Sequence, residues 1–521
     1  MNALRLALVA LLVAGLASPA EARRRRPPRP PAPKPGSPAA ATCPAGISLL
    51  TAAEVDGLLT RAAASVDLPK LAVAVADRAG TVLGLYTKGS PTLAEQDTAV
   101  GLARTGAFFS NDQAPLTSRT VRFVSGLHFP PGVARTPNAA LYGIENTNRG
   151  CDLNVSWNPG KFVPRATSLS GQPCNPFDAS GCGTGPVTGK IPNLSGAAVD
   201  SDPFAVNPGG LPVFRGSRLI GGIGVAGVPP GRANAAEFAA LAAFGDGLAP
   251  LPTPLPAPGV VFIDGIRLPA VLQTTRPAGV GPGAANGAFA FPSKDGGCAP
   301  DGYLVGPLAG SALTAAEVDR VVQQAVAAAG RTRAVIRLPL GSKTRMVISV
   351  GDVDGRILAI FRMPDATVFS IDVAAAKARN VAYFSGPGAL DLPEVPPGTA
   401  ISNRTLSFGG QPLFPAGIDG SGPGPFFDLF ADDLRNPCGQ GFAPPDANQS
   451  GIVFFPGSLP LYKGDTLVGG LGVSGDGVEQ DDYVSYRGAA GFLPPERLWA
   501  DRHFVDGVRL PFLKFPRNPE R

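Results

Sequence analysis

Apolar and polar positions alternate along this chain in a few recognisable rhythms, and the same rhythms come round twice. "LTAAEVDGLLTRAAASV" opens with Thr51 and, three residues on, Glu54, the spelling of a helix capping box. Thr314 and Glu317 do the same ahead of "VDRVVQQAVAAAG", where Val318, Val321, Val322 and Val326 fall near helical spacing. "LAVAVADRAGTVLGLYT" and "RMVISVGDVDGRILAIFRM" are runs of β-formers broken at a glycine turn, which predicts a hairpin in each. "FSIDVAAAKARNVAYF" then predicts a second helix with Ser370 as its N-cap. Each copy is therefore expected to run helix, hairpin, helix, long loop, hairpin, helix.

The repetition extends to wording. "LTAAEVD" stands at Leu50–Asp56 and at Leu313–Asp319, and "TSRTVRF" with a downstream "FPPG" answers "SNRTLSF" with "FPAG". "GGLPVFRGSRLIGGIGVAG" answers "GSLPLYKGDTLVGGLGVSG", and "VFIDGIRLP" answers "HFVDGVRLP". The shared order implies tandem duplication. Arg119 and Arg404 lie 285 positions apart but Gly222 and Gly470 only 248, so the first copy holds about 37 extra residues between them. The expected divisions are a leader at 1–22, a basic proline-rich linker at 23–42, a first domain at 43–290 with a loop insertion at about 151–190, and a second domain at 291–521.

Composition changes this picture mainly at the N-terminus. The first 22 residues pair Arg5 with an apolar run, Leu6 to Leu16, and end in Ala20-Glu21-Ala22, a secretory signal cleaved near Ala22. The run is too short to span a bilayer. The chain is thus expected to be secreted or periplasmic, without a transmembrane segment. Its net charge of +5 is concentrated in residues 1–34, where seven basic side chains face Glu21 alone. The remaining sequence sums to about −1, which removes the case for nucleic acid as a partner. With 44% hydrophobic and 16% charged residues the chain is globular, and 67 glycines with 57 prolines favour short strands and long loops.

Six cysteines in an exported chain suit disulfides, and no C-x-x-C spacing points to zinc. Cys43 and Cys298 precede the first helix of each copy, Cys151 and Cys438 sit in comparable loops, and Cys174 and Cys182 share the insertion. The expected pairs are Cys43–Cys151, Cys298–Cys438 and Cys174–Cys182.

The block "VISVGDVDGRILAIFRMPDATVFSIDVAAAKARNVAYF", followed by "FPGSLPLYKGDTLVGGLGVSGDGVEQDD", resembles the HbpS/GlcG haem-binding-protein domain family. The resemblance covers about 170 residues of the second copy closely and the first copy more weakly. It implies two tandem α/β sandwiches, each a mostly antiparallel sheet flanked by helices. It also implies haem or a related tetrapyrrole as ligand, and a pair of domains packed as a pseudo-dimer.

Haem directs attention to axial ligands and to cations for its propionates. The chain has two histidines, His128 and His503, at non-equivalent places: Val261 answers His503 and Leu413 answers His128. Met363 is a candidate soft ligand in "RMPDA", and Lys377 and Arg379 are candidate anion partners. Asp372 matches Asp97 on the same helix, while Leu102 and Arg104 stand opposite Lys377 and Arg379, so a retained site belongs in the second copy. An enzyme is not expected, for no G-x-S-x-G elbow appears and Asp77 and Asp352 look like turn residues. No metal is expected at Asp476, Glu479, Asp481 and Asp482, which lack EF-hand spacing and suit a helix N-terminus. Gly470, Gly472 and Gly475 spell G-x-G-x-x-G, yet they close a hairpin and not a βαβ unit, so neither NAD nor FAD is expected. The alternative to ligand binding is a structural or interaction module that has lost its small-molecule site.

Overall fold

The computed structural model describes residues 45–136, 141–148, 151, 208–229 and 232–521. All lie within one compact unit, Ala39–Arg521. The fold is mixed α/β, two antiparallel sheets flanked by helices.

In the N-terminal half, α1 (Ala52–Ala64) precedes a hairpin of β1 (Leu71–Asp77) and β2 (Val82–Lys88), then α2 (Leu93–Phe109) and a short α3 (Ser118–Val124). A second hairpin, β3 (Gly210–Arg215) and β4 (Arg218–Ala226), leads to α4 (Ala233–Ala242) and the two-residue β5 (Leu248–Ala249). A small hairpin, β6 (Phe262–Ile263) and β7 (Ile266–Arg267), and the strand β8 (Ala288–Phe291) complete this half. The C-terminal half follows with β9 (Gly302–Val305), α5 (Ala315–Ala329), β10 (Val347–Gly351), β11 (Ile357–Arg362), α6 (Ser370–Phe384), α7 (Asn403–Gly409) and α8 (Phe427–Arg435). Then come β12 (Ser458–Lys463), β13 (Thr466–Ser474), α9 (Val478–Gly488) and a last small hairpin, β14 (Phe504–Val505) and β15 (Val508–Arg509).

The sheets run β5-β3-β4-β1-β2-β8 and β12-β13-β10-β11-β9, and every pairing within them is antiparallel. Both capping boxes form, at Thr51/Glu54 and Thr314/Glu317. One cap differs from expectation. Ser370 is the first helical residue of α6 and Phe369 takes the cap position; the Ser370 hydroxyl instead meets Thr367 at 2.8 Å and Ser474 at 3.0 Å.

The edge strands have no counterpart in the expected element order. Strand β8 pairs with β2 through Leu85↔Phe291, and β9 pairs with β11 through Ile360↔Val305. Beyond β8, the Gly297 N–H bonds Asp77 at 2.9 Å; beyond β9, the Ser311 N–H bonds Asp352 at 2.7 Å. The two turn aspartates therefore anchor the segment that follows each edge strand, and consecutive stretches of the connection serve different sheets.

The glycines explain how closely the layers approach. A methyl group on Gly222 or Gly224 would lie 2.0 Å from the carbonyl oxygen of Ala103 or Ala99 on α2. On Gly470 or Gly472 it would lie 2.1 or 2.0 Å from that of Ala378 or Ala374 on α6. Real non-bonded carbons do not come so near, so these positions exclude any Cβ. The G-x-G-x-x-G spelling serves to seat a helix directly on the sheet backbone.

The halves share a core that holds Phe108, Phe109 and Val121 together with Met363, Phe369 and Phe455. Phe109 stacks on Phe369 with centroids 4.3 Å apart, and the Val368 N–H donates to the Phe108 carbonyl at 3.1 Å. Arg337 links Asp476 and Asp365, each at 2.6 Å, and donates to Gln113 of the N-terminal half at 3.2 Å. His128 Nε2 lies 2.7 Å from Asp419. A disulfide joins Cys151 to Cys438, so the expected Cys43–Cys151 and Cys298–Cys438 pairs are both incorrect. The cause is the packing: the two comparable loops face each other across the contact between halves, with Cα atoms 5.4 Å apart, instead of folding back on their own domains. Cys298 is disulfide-bonded too. Cys43, Cys174 and Cys182 lie outside the described residues.

Candidate functional site

The C-terminal half collects four acids at the start of α9, and each has a different cation. Asp476 takes Arg337 at 2.6 Å, Glu479 takes Lys514 at 2.5 Å, Asp481 takes Lys377 at 3.2 Å and Asp482 takes Arg404 at 2.5 Å. They are halves of four ion pairs drawn from separate elements. Among the described residues no group of three or more His, Cys, Asp or Glu side chains is arranged to hold a metal ion.

Helix α6 is buried almost all round, with Lys377, Arg379 and Asn380 enclosed, so neither cation stands on a solvated helix face. The Lys377 ammonium donates to the Val473 carbonyl at 2.9 Å and sits 4.9 Å from the centre of the Phe455 ring. Gly457 leaves it room, since a methyl there would lie 2.6 Å from Lys377 Nζ. Burial lowers the pKa of Lys377, and burial pushes the Asp481 carboxyl up to about 7 against the pull of the ammonium. Both shifts favour the uncharged pair, as expected for an ion pair removed from water. Asp481 Oδ2 is the atom that accepts from Lys377; Oδ1 has no hydrogen-bond partner among the described residues.

That free oxygen belongs to a residue lining a cavity of about 110 Å³ between the halves. Phe109, Leu116, Val121 and Val124 from one half and Ile336, Phe369 and Phe455 from the other give it apolar walls, and Arg404, Glu479, Gln480, Asp481 and Lys514 give it a polar side. A larger cavity of about 820 Å³ adjoins it, sharing Asp264, Arg404 and Lys514, and is lined further by Phe129, Phe408, Arg509 and Phe512. Arg404 thus stands where the chambers meet. Its Nε holds Asp482, while Nη2 is buried without a hydrogen-bond partner among the described residues.

The other residues expected to form a site are elsewhere. Met363 is core, its sulfur accepting the Met346 N–H at 3.4 Å. Arg379 donates to the Gly355 carbonyl at 2.7 Å. Asp372 lies on the first turn of α6 and His503 is half-buried beside β14, and neither is among the lining residues of the two chambers. Lys377 alone touches the site, from behind Asp481. In the sequence Asp481 reads only as a helix-end acid, and neither Arg404 nor Lys514 stands out as a site residue. The signal available for Arg404 was its place in the doubled "SRTVRF" and "NRTLSF" phrase.

The N-terminal half builds the same clamp without the lysine pair. Arg119 forms a two-pronged bond with Glu237 at 2.7 and 2.9 Å, and Glu237 also accepts the Gln273 N–H at 2.9 Å. Asp482 likewise accepts the Lys514 N–H at 3.0 Å. Where Gly457 faces Asp481, Gly209 faces Ala236, 3.2 Å from a would-be methyl. Leu102 and Ala236 thus occupy the places of Lys377 and Asp481.

Residues 313–490 match the family model described as "Haem degrading protein HbpS-like". Two solved structures are similar to part of the chain. A PduOC–haem complex is 23% identical, covering 35% of this chain and 95% of its own, with a TM-score of 0.24. The Klebsiella pneumoniae protein ORFY is 21% identical over 34% of this chain and 88% of its own, with a TM-score of 0.23. No curated protein matches the chain. From α5 through α9, residues 313–490 are similar to the HbpS-like family.

Proposed function

We propose that this chain is an exported, non-catalytic binding protein for a tetrapyrrole, held in the two chambers between its halves. The observation that carries the reading is Arg404. An unpartnered guanidinium nitrogen sits between an apolar chamber and a roomier one, and the roomier one falls in the size range of small-molecule sites, roughly 300–1,000 Å³. A flat apolar macrocycle with carboxylate arms has that complementarity. Phe109, Phe369 and Phe455 would face the rings; Arg404, Lys514 and Arg509 would take the carboxylates. The family description over 313–490 supports the choice of haem as first candidate.

Iron fits less well. Axial ligands are ordinarily His, Met, Cys or Tyr, and none lines either chamber among the described residues. Recognition therefore rests on the ring and its carboxylates. The two halves are read as tandem copies, 43–290 and 291–521, packed as a pseudo-dimer in which the first copy is a structural partner. The doubled Arg–acid clamp and glycine seat support this. The apolar leader and the Cys151–Cys438 bridge support export.

The test is an absorbance titration of the purified protein with haemin and with iron-free protoporphyrin IX. Saturable binding of both, with affinities within a few-fold, is the expected result. The absence of saturable binding of either at micromolar concentration would remove the macrocycles, and the same result with an open-chain tetrapyrrole would remove the reading.

A further inference from the structure

The unpartnered oxygen of Asp481 asks for a donor that a haem does not offer at its edge. Its residue is 3% exposed, its other oxygen is committed to Lys377, and none of the donors that share the chamber with it, Arg404, Ser474, Gln480 and Lys514, bonds Oδ1. A buried carboxylate oxygen left unpaired is costly, and a ligand N–H placed against it recovers that cost in a water-poor site. Metal-bound pyrrole nitrogens carry no hydrogen, and those of an iron-free macrocycle point to its centre. An open-chain tetrapyrrole is different: its pyrrole and lactam N–H groups lie along an accessible edge, and its carboxylates remain on the opposite side.

We infer that the site selects an open-chain tetrapyrrole, with Asp481 Oδ1 accepting ring N–H groups in the inner chamber and Arg404 Nη2 holding a carboxylate at the boundary. The inference rests on the proposed tetrapyrrole site and narrows its ligand class. The arrangement also couples binding to protons. The groups around Asp481 are Lys377 from α6, Arg404 from α7, Asp476 before α9, Glu479 and Asp482 on α9, Lys514 from the C-terminal segment and Asp264 from the β6–β7 turn. With the Asp481 carboxyl pushed up to about 7, a proton on Oδ1 below that pH turns the acceptor into a donor.

The experiment is a titration of the full mature protein with biliverdin, haemin and protoporphyrin IX, followed by visible absorbance at pH 8 and pH 6. Biliverdin is expected to bind at least tenfold more tightly than either macrocycle at pH 8, with the preference shrinking at pH 6. Asp481→Asn should lower biliverdin affinity at least tenfold and so erase the preference. Should that variant fail to fold, the pH comparison on the unaltered protein carries the test. Equal or tighter binding of haemin at pH 8, or an unchanged ratio at pH 6 or in Asp481→Asn, would overturn the inference while leaving the tetrapyrrole reading intact. No binding of any of the three would remove both.

Discussion

The two halves of this molecule were given nearly the same phrases and put them to different use. Both seat a long helix on paired glycines, and both lock a short helix to the last helix through a buried arginine and an acid. Only the C-terminal half places Lys377 and Asp481 where the N-terminal half has Leu102 and Ala236. The first half shows what the framework needs for packing. Whatever the second half adds at a cost in burial therefore calls for another reason, and ligand recognition supplies one.

The largest effects should be common to both halves. Gly472→Val and Gly224→Val each force a side chain into a helix carbonyl, and each is expected to cost about 3 kcal/mol or more, or to prevent folding. Soluble yield and the denaturant midpoint measure it. A mild effect in one half would mean that its helix can lift away, and the shared seat would lose its meaning.

Breaking the clamps comes next and should separate the halves. Glu237→Gln and Asp482→Asn each leave a buried arginine short of its partner, at about 3–5 kcal/mol. The Arg119–Glu237 pair is the more enclosed, with side chains 3% and 1% exposed against 12% and 0%. Glu237→Gln is thus expected to lower the urea midpoint further than Asp482→Asn.

Giving the second half the residues of the first separates packing from recognition. The double variant Lys377→Leu with Asp481→Ala should be neutral or more stable by roughly 1–4 kcal/mol, whereas Lys377→Leu alone should destabilise by leaving the carboxylate unpaired. The pH profile provides a second reading. Folding raises the Asp481 pKa from the ordinary 3.8 to about 7, so the folded state holds that proton more tightly and stability falls as pH rises from about 4 to about 7. The double variant should lack that fall, visible as a Tm difference that widens toward pH 7.

The smallest effects concern the helix caps. Glu54 and Glu317 are both drawn down to about 2, chiefly by Arg215 and Lys463. The stability each contributes is present above about pH 4.5 and is lost as pH falls toward 2. Glu54→Gln and Glu317→Gln should each cost no more than about 1 kcal/mol at pH 7, less still in salt. Matching losses would confirm equivalent caps.

Much of the fold was legible because its signals are local. Capping boxes, glycine turns and alternating runs depend on neighbours a few residues apart, and the hairpins and long helices appear where those patterns stand. The edge strands were hidden because β8 is drawn from the connection and its register is set by β2, not by its own sequence. The disulfides were misassigned for the same reason: Cys151 meets Cys438 only through the contact between halves. Of the site, Lys377 was visible in the family-like block, but its direction was not. Arg404 and Lys514 become important only when the first half's helices close over the second half, a fact no local pattern carries.

The proposed function requires one tetrapyrrole site per chain, built by the C-terminal half and closed by the N-terminal half. Trp499 packs on Phe512, a wall of the outer chamber, with rings 5.0 Å apart. In a Trp157→Phe variant it is the sole tryptophan, since the chain has two. Titrating that variant with biliverdin and with haemin should quench its fluorescence saturably with an endpoint at one ligand per chain. An endpoint at two, or no saturable quenching by either, would contradict a single tetrapyrrole site.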